Sequence, residues 1–332
     1  VEAGVQAYLV EESGGDFRRS DLSRPAVTAN HVLIRVRASG VNPLDTKIRA
    51  GKAGHAKQPL PAVLGLDMAG IVEEVGYGVT AFNPGDEVYG MVGGVGGLQG
   101  TLAEFVAVDA NLLARKPRNL SMREAAALPL ITITAWEGLV DRAKVHADQT
   151  VLVHAGAGGV GHIAIQLARA FGAKVFATVS QEKKKIVEQF GATPIDYRSS
   201  SVEEYVTAST GRKGFDVVYD TVGGATLDSS FVAVKRYTGH VVSSLGWGTH
   251  SLAPLSFRGA SYSGVFTLLP LITGEGRAHH GEILGQAAAL VEEGKLRPLL
   301  NEQRFSIEDI GTAHTLVEAG ALGKVVVELP EG

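Results

Sequence analysis

Three glycines, Gly156, Gly158 and Gly161, stand at the spacing G-x-G-x-x-G inside VLVHAGAGGVGHIAIQLARAFGAKVFATVS, residues 151–180. The spacing alone is a weak signal, and its surroundings supply the chemistry. An apolar run precedes the glycines. Ile163, Leu167, Ala170 and Phe171 then recur at helical spacing, and a second apolar run begins after Lys174. Glycines in that context permit a tight turn, approach of the backbone to a pyrophosphate and close packing of helix on sheet. The helix start turns amides and a positive dipole end toward phosphate. The loop Gly156, Ala157, Gly158, Gly159, Val160, Gly161 is therefore expected to hold a dinucleotide.

The end of the second apolar run bears on which dinucleotide. NAD sites usually place Asp or Glu there to accept from the ribose 2′-hydroxyl. Here the run ends in Ser180, followed by Glu182 and then Lys183, Lys184 and Lys185. Cations in the first turn of a helix oppose its dipole, and a 2′-phosphate would offset that cost. Ser180 and Lys183 thus point to NADP (NADPH). Two readings compete: a solvated lysine face, and a Glu182 that binds the ribose of NAD.

The elements that must position these residues emerge from the pattern around them. From Gln149 onward, expected strands at 150–154, 174–179, near 194–196, 215–219 and 239–244 alternate with helical patterns, one opening at the capping box Ser201 to Glu204. Such βα alternation implies an α/β fold with a parallel, doubly wound sheet. Residues 1–110 read differently, as short apolar alternations punctuated by glycine, which suit a β-rich domain with many turns. The change falls at Ser121, where Ser121 and Glu124 form another capping box. Pro129 must end or kink that helix. A last helix opens near Ser306 and Asp309, and KVVVEL closes the pattern as a strand.

Composition bounds the function classes. With 332 residues, 45% hydrophobic and 20% charged, the chain suits two globular domains. No apolar run approaches the roughly 18 residues of a membrane span, and no secretory pattern is evident at the start, so a cytoplasmic protein is expected. The net charge of −4 and the lack of a larger basic block argue against nucleic acid. Cysteine is absent, which removes disulfides, thiolate nucleophiles and cysteine-ligated zinc. The ten histidines form no ligand-spaced cluster.

GVNPLDTKIRAG, LGLDMAGIVEEVG, PGDEVYG, AAALPLITITAWEGL, HAGAGGVG, GATPIDYR, FDVVYDTVGG and GKVVVEL, in this order and spacing, resemble the medium-chain dehydrogenase/reductase superfamily. Within it they resemble the zinc-free quinone oxidoreductase (zeta-crystallin-like) branch. The resemblance spans essentially the whole chain. It implies a GroES-like catalytic domain from residues 1–121 and 268–332, a Rossmann NADP-binding domain from 122–267, and an active site in the cleft between them. On the positions where zinc relatives carry a metal ligand this sequence has Asn42, Leu66 and Leu130. Two leucines cannot ligate a metal and an amide is a poor zinc ligand. The cysteine-bearing lobe of zinc relatives is also missing, with a Gly-rich segment, 93–100, near its place. No zinc is expected.

Without a Lewis acid, interconversion of a simple alcohol and ketone is disfavoured. The remaining chemistry for NADPH is hydride transfer to a quinone or an activated enone. The resemblance places Asn42 where its amide could donate to the acceptor oxygen, although Asn-Pro could simply start a turn. Lys47 stands where some relatives carry tyrosine and could supply positive charge, or be a surface lysine. Asp45 reads as a helix cap. Thr134 matches a threonine placed near the nicotinamide, or is a packed helix hydroxyl. The carboxyl ends of parallel strands bind ligands, so Val222, Leu245 and Gly246 should border the nicotinamide. Trp247 is either an aromatic wall for a flat substrate or a core residue. Val265, Phe266 and Thr267 in SGVFT resemble the family's last Rossmann strand, which meets the carboxamide, and also an edge that pairs two subunits in a homodimer. Tyr197 matches a residue over the 2′-phosphate in relatives, or packs in the core. Two other functions stay open: an NADPH-binding sensor or structural protein with little turnover, and an enoyl-thioester reductase.

Overall fold

In the first of two compact units, the long strand β1 (His31–Val41) organises a seven-stranded sheet. A computed structural model describes residues 4–331. This unit takes the chain up to Leu130, Leu268–Glu293 and the stretch from Pro298 on; the other takes Ile131–Thr267 and Gly294–Arg297. Strand β2 (Asp67–Val75) runs antiparallel on one side of β1, and the terminal strand Val325–Glu328 runs antiparallel on the other. In this register Gly40 opposes Asp67, while Val41 opposes Val325. Asn42, Asp67 and Lys324 therefore emerge at one end of three adjacent strands. Helix α1 (Pro43–Arg49) leaves directly from β1. Helix α2 (Met122–Ala126) lies on the sheet at Gly40, where an added Cβ would meet the Ala126 carbonyl oxygen at 2.3 Å.

The capping box at the start of α2 is formed. Ser121 Oγ accepts from the Glu124 amide at 3.2 Å, and Glu124 Oε2 accepts from the Ser121 amide at 2.8 Å. Pro129 opens α3 (Pro129–Trp136), so the expected interruption is real. The two units divide between Leu130 and Ile131, whereas the texture of the sequence changes at Ser121; α2 stays with the first unit because it packs on β1 and β2.

The second unit is a six-stranded, all-parallel sheet. Its strands are β3 (Thr150–Val153), β4 (Lys174–Val179), β5 (Thr193–Asp196), β6 (Val217–Asp220), β7 (His240–Ser243) and β8 (Ser261–Gly264). The spatial order β5-β4-β3-β6-β7-β8 is doubly wound about β3. Leu152, Phe176, Val218 and Val241 enter one core cluster with Phe215, Tyr205 and Phe231. Burying each such side chain stabilises the fold by roughly 1.5–3 kcal/mol. Helix α4 (Gly159–Ala170) follows β3 and buries every residue from Gly161 to Ala168. Two expectations need correction. Strand β6 begins at Val217, because Phe215 pairs with Val234 outside the sheet. The edge strand β8 is the polar SYSG, and Val265, Phe266 and Thr267, expected in the last strand, lie just beyond it, with Val265 buried at 5% exposed. Among the described residues no helix is long and apolar enough to cross a membrane.

Candidate active site

Between β3 and α4 the backbone turns sharply. The left-handed residue of this turn is Ala155 (φ 53°), not one of the glycines. The glycines serve close approach. A Cβ on Gly156 would sit 2.6 Å from Ala177 Cβ, and one on Gly161 would sit 2.1 Å from the Ala155 oxygen. Gly158 caps α4 in an extended conformation with only the Ala155 oxygen near, at 3.2 Å. Thr178 at the end of β4 pins the turn: its Oγ1 meets the Ala155 amide at 3.1 Å and His154 Nδ1 at 3.0 Å, and its carbonyl accepts from Gly156. The amides of Gly159, Val160 and Gly161 form the first turn of α4, which has no carbonyls of its own to offer them. This cradle fits a pyrophosphate.

At the ends of β4 and β5 the register pairs Val179 with Asp196, so Ser180 and Tyr197 begin adjacent loops. Ser180 caps the turn Gln181–Lys183, and Lys183 is exposed. Tyr197 is 52% exposed and so is not a core residue; the Arg198 guanidinium lies 5.6 Å from its ring centre. Arg198 also reaches Glu182 at 3.8 Å. The Glu182 carboxyl is held below the usual range by backbone and Ser180 hydrogen bonds, with Arg198 adding to this. Glu182 thus already has a cation partner.

The loops after β6 and β7 are joined by one buried carboxylate. Asp220 accepts from the amides of Val222 and Gly223, each at 3.0 Å, and from Ser243 Oγ at 2.7 Å. Ser243 Oγ in turn accepts from the Leu245 amide at 3.1 Å. Val222 is half-exposed. Gly246 lies against the Tyr262 hydroxyl, which a Cβ would approach to 2.2 Å. Trp247 is 57% exposed rather than packed in the core, and meets Phe266 edge-on at 6.5 Å. Val265 and Thr267 are buried. Thr134 on α3 shares a hydrogen bond with Thr267 between hydroxyls 2.8 Å apart, and its carbonyl accepts from the Tyr219 hydroxyl at 2.5 Å.

In the first unit Asn42 is the centre of a buried polar cluster. Its Nδ2 donates to Asp67 Oδ2 at 3.0 Å, and its Oδ1 accepts from Lys324 Nζ. Asp67 also accepts from the Leu130 amide, at 3.1 Å to Oδ1. Asp45 Oδ2 accepts from the Asn42 amide at 2.8 Å, so Asn42 is the N-cap of α1 and Asp45, inside the helix, closes its capping box. Burial pushes the Asp45 carboxyl up to about 7 and that of Asp67 up to about 6, the latter against the attraction of Lys324; burial also lowers the Lys324 ammonium. Lys47 lies on the exposed face of α1.

These residues do not fit zinc. Leu66 and Leu130 offer no donor atoms, and the amide oxygen of Asn42 already faces an ammonium, which would repel a metal cation. Among the described residues no three His, Asp or Glu side chains gather as a metal site.

Sequence reading missed Asp67, Lys324, Asp220, Thr178 and Arg198. Asp67 could have been noticed as a lone charge within LGLDMAGIV, and Asp220 as an Asx turn before two glycines. Nothing local in GKVVVEL marks Lys324 as buried, because its partners lie far along the chain.

Residues 28–118 match the family described as "Alcohol dehydrogenase GroES-like domain", and 190–327 match "Zinc-binding dehydrogenase". The chain is 37% identical to an NADPH-dependent alkenal/one oxidoreductase, chloroplastic, of Arabidopsis thaliana, covering 97% of this chain and 79% of the relative. It is 32% identical to a quinone oxidoreductase of Homo sapiens over 98% of each chain. The solved structure of an alcohol dehydrogenase superfamily protein from Novosphingobium aromaticivorans matches with a TM-score of 0.96 at 56% identity, covering 98% of this chain and 100% of that one. With this fold, this glycine cradle and these relatives, the chain belongs to the medium-chain dehydrogenase/reductase superfamily, in its quinone-oxidoreductase-like branch.

Proposed function

We propose that this protein is a zinc-independent, NADPH-dependent oxidoreductase that reduces a quinone or an activated enone. The observation that carries the reading is the donor set around Asn42: two leucines and an amide already bound to an ammonium, a set that could not hold a Lewis-acid metal against an unactivated carbonyl. The relatives named as alkenal/one and quinone oxidoreductases agree with it.

A bound NADPH supplies the hydride. The loop of Gly156, Ala157, Gly158, Gly159, Val160 and Gly161 holds the pyrophosphate on its amides. Ser180, Lys183, Tyr197 and Arg198 would take the 2′-phosphate, with Arg198 standing 3.8 Å from Glu182. Asp220 sets the loops bearing Val222, Leu245 and Gly246 along the nicotinamide. Thr134 would stand near the nicotinamide, the backbone of Val265, Phe266 and Thr267 would meet its carboxamide, and Trp247 would offer a face to a flat acceptor. Asn42 carries a second N–H on Nδ2, which donates to the acceptor oxygen as charge develops there. Lys47 adds only long-range positive charge. A hydroquinone anion or enolate spreads its charge over a conjugated system, so weak donors and solvent can complete the step.

Purified protein should oxidise NADPH with small quinones or activated enones and leave saturated ketones and aldehydes untouched, with a chelator having no effect. Robust turnover of saturated carbonyls would refute the reading, and silence with both acceptor classes would favour a binding protein.

The assembly is read as a homodimer. Among the described residues strand β8 has a neighbour on one side only, and it presents Tyr262, 37% exposed. A sheet edge of this kind is a pairing site unless covered. Sedimentation should find a dimer at micromolar concentration, and a monomer there would reject this assembly.

A further inference from the structure

The functional reading leaves the buried ammonium of Lys324, a member of the polar cluster around Asn42, unused. Lys324 enters the interior just after Gly323, whose left-handed backbone (φ 78°) and contact with Leu300 leave no room for a side chain. The lysine is 5% exposed, and besides Asn42 Oδ1 its Nζ lies 3.4 Å from the Val41 carbonyl oxygen. An ammonium can only donate, and an ionised carboxylate can only accept. Lying between them, the Asn42 carboxamide has one permitted orientation: oxygen to Lys324, nitrogen to Asp67. The same Asp67 binds the Leu130 amide. The three segments that would carry a metal in zinc relatives, at Asn42, beside Asp67 and at Leu130, are thus tied by hydrogen bonds around one cation.

We propose that Lys324 is a positioning residue that fixes the Asn42 carboxamide and takes the place of a metal in tying these three segments together. The inference rests on the reading of Asn42 as donor to the acceptor oxygen. Without Lys324, the amide oxygen keeps only the start of α1 as a partner, where Asn42 and Asp45 form a capping box, and the remaining N–H is held less firmly in direction. Small misplacements of catalytic groups cost up to about 100-fold in rate.

The test compares Lys324→Met with the double variant Lys324→Met/Asp67→Asn. The single variant leaves a buried carboxylate without its cation and should lose thermal stability. The double variant removes both charges of the Lys324–Asp67 pair, leaves only the Asp45 carboxyl, whose burial already favours its neutral form, and lets two amides pair either way round, so stability should return. Its kcat for quinone reduction should nevertheless stay on the order of 10- to 100-fold below wild type, with the NADPH dissociation constant unchanged. The side-chain amide resonances of Asn42 in 15N-labelled protein should shift in both variants, and Lys324→Arg should partly restore them. A double variant that regains wild-type kcat along with stability would overturn the proposal, as would unchanged Asn42 resonances. If wild type turns over no acceptor yet the resonances shift as stated, the positioning stands and the reductase reading fails.

Discussion

Lys183 shows how much one exposed side chain can be asked to do. It ends the short turn after β4 and precedes a helix, a place where its charge opposes the helix dipole and gains nothing from the fold itself. Bound to a 2′-phosphate it would make a charge-assisted hydrogen bond. Lys183→Glu should therefore weaken NADPH binding about tenfold or more and barely change NADH binding, read by fluorescence titration of each coenzyme. Equal affinity of the wild type for both would return the choice to Glu182. At this scale the sequence was legible where a residue type has one use, as with the glycines, and opaque where its use depends on distant partners. Asn42 illustrates the second case: read locally it starts a turn, but its side chain is decided by Asp67 and Lys324, which the strand register alone brings to it.

Elements were more legible than residues because periodicity and capping act locally. The Ser121 and Ser201 capping boxes form as read, and both define helix starts. The parallel order of the second sheet followed from βα alternation without knowledge of any contact. The errors share a cause, which is that hydrophobicity reports burial rather than ladder pairing. Val265 and Phe215 are apolar and buried, yet each lies just outside the strand expected to contain it. The turn into α4 shows the same limit. Its glycine pattern was found, but the left-handed position belongs to Ala155, and Gly161 is required by the Ala155 oxygen rather than by its own φ.

At the scale of the whole molecule, stability should depend on pH through histidines that the fold buries uncharged. His314 lies in the first unit with its ring edge-on to Phe17 at 4.8 Å, and the Arg49 guanidinium stands 4.8 Å over the same phenyl ring. Burial first, then the Arg49 charge, pushes its imidazole down to about 4 from an ordinary 6.5. His154, in the second unit, is pushed to about 4 by burial against the attraction of Asp220. Between those two values the unfolded chain takes up a proton that the folded chain refuses. The contribution of each histidine is therefore complete above about pH 6.5 and is lost as the pH falls toward 4. Each pKa unit corresponds to about 1.4 kcal/mol, so His314 alone should account for about 2–3 kcal/mol across that window. The raised carboxyls of Asp45 and Asp67 act with the opposite sign, which makes a comparison of variants more informative than one curve. In urea unfolding of wild type and His314→Leu between pH 4.5 and 8, the wild type should lose more stability than the variant as the pH falls, because the leucine has no proton to gain. Parallel curves would show that the His314 imidazole is protonated alike in the folded and unfolded chains, and that its burial beside Phe17 and Arg49 carries no acid sensitivity.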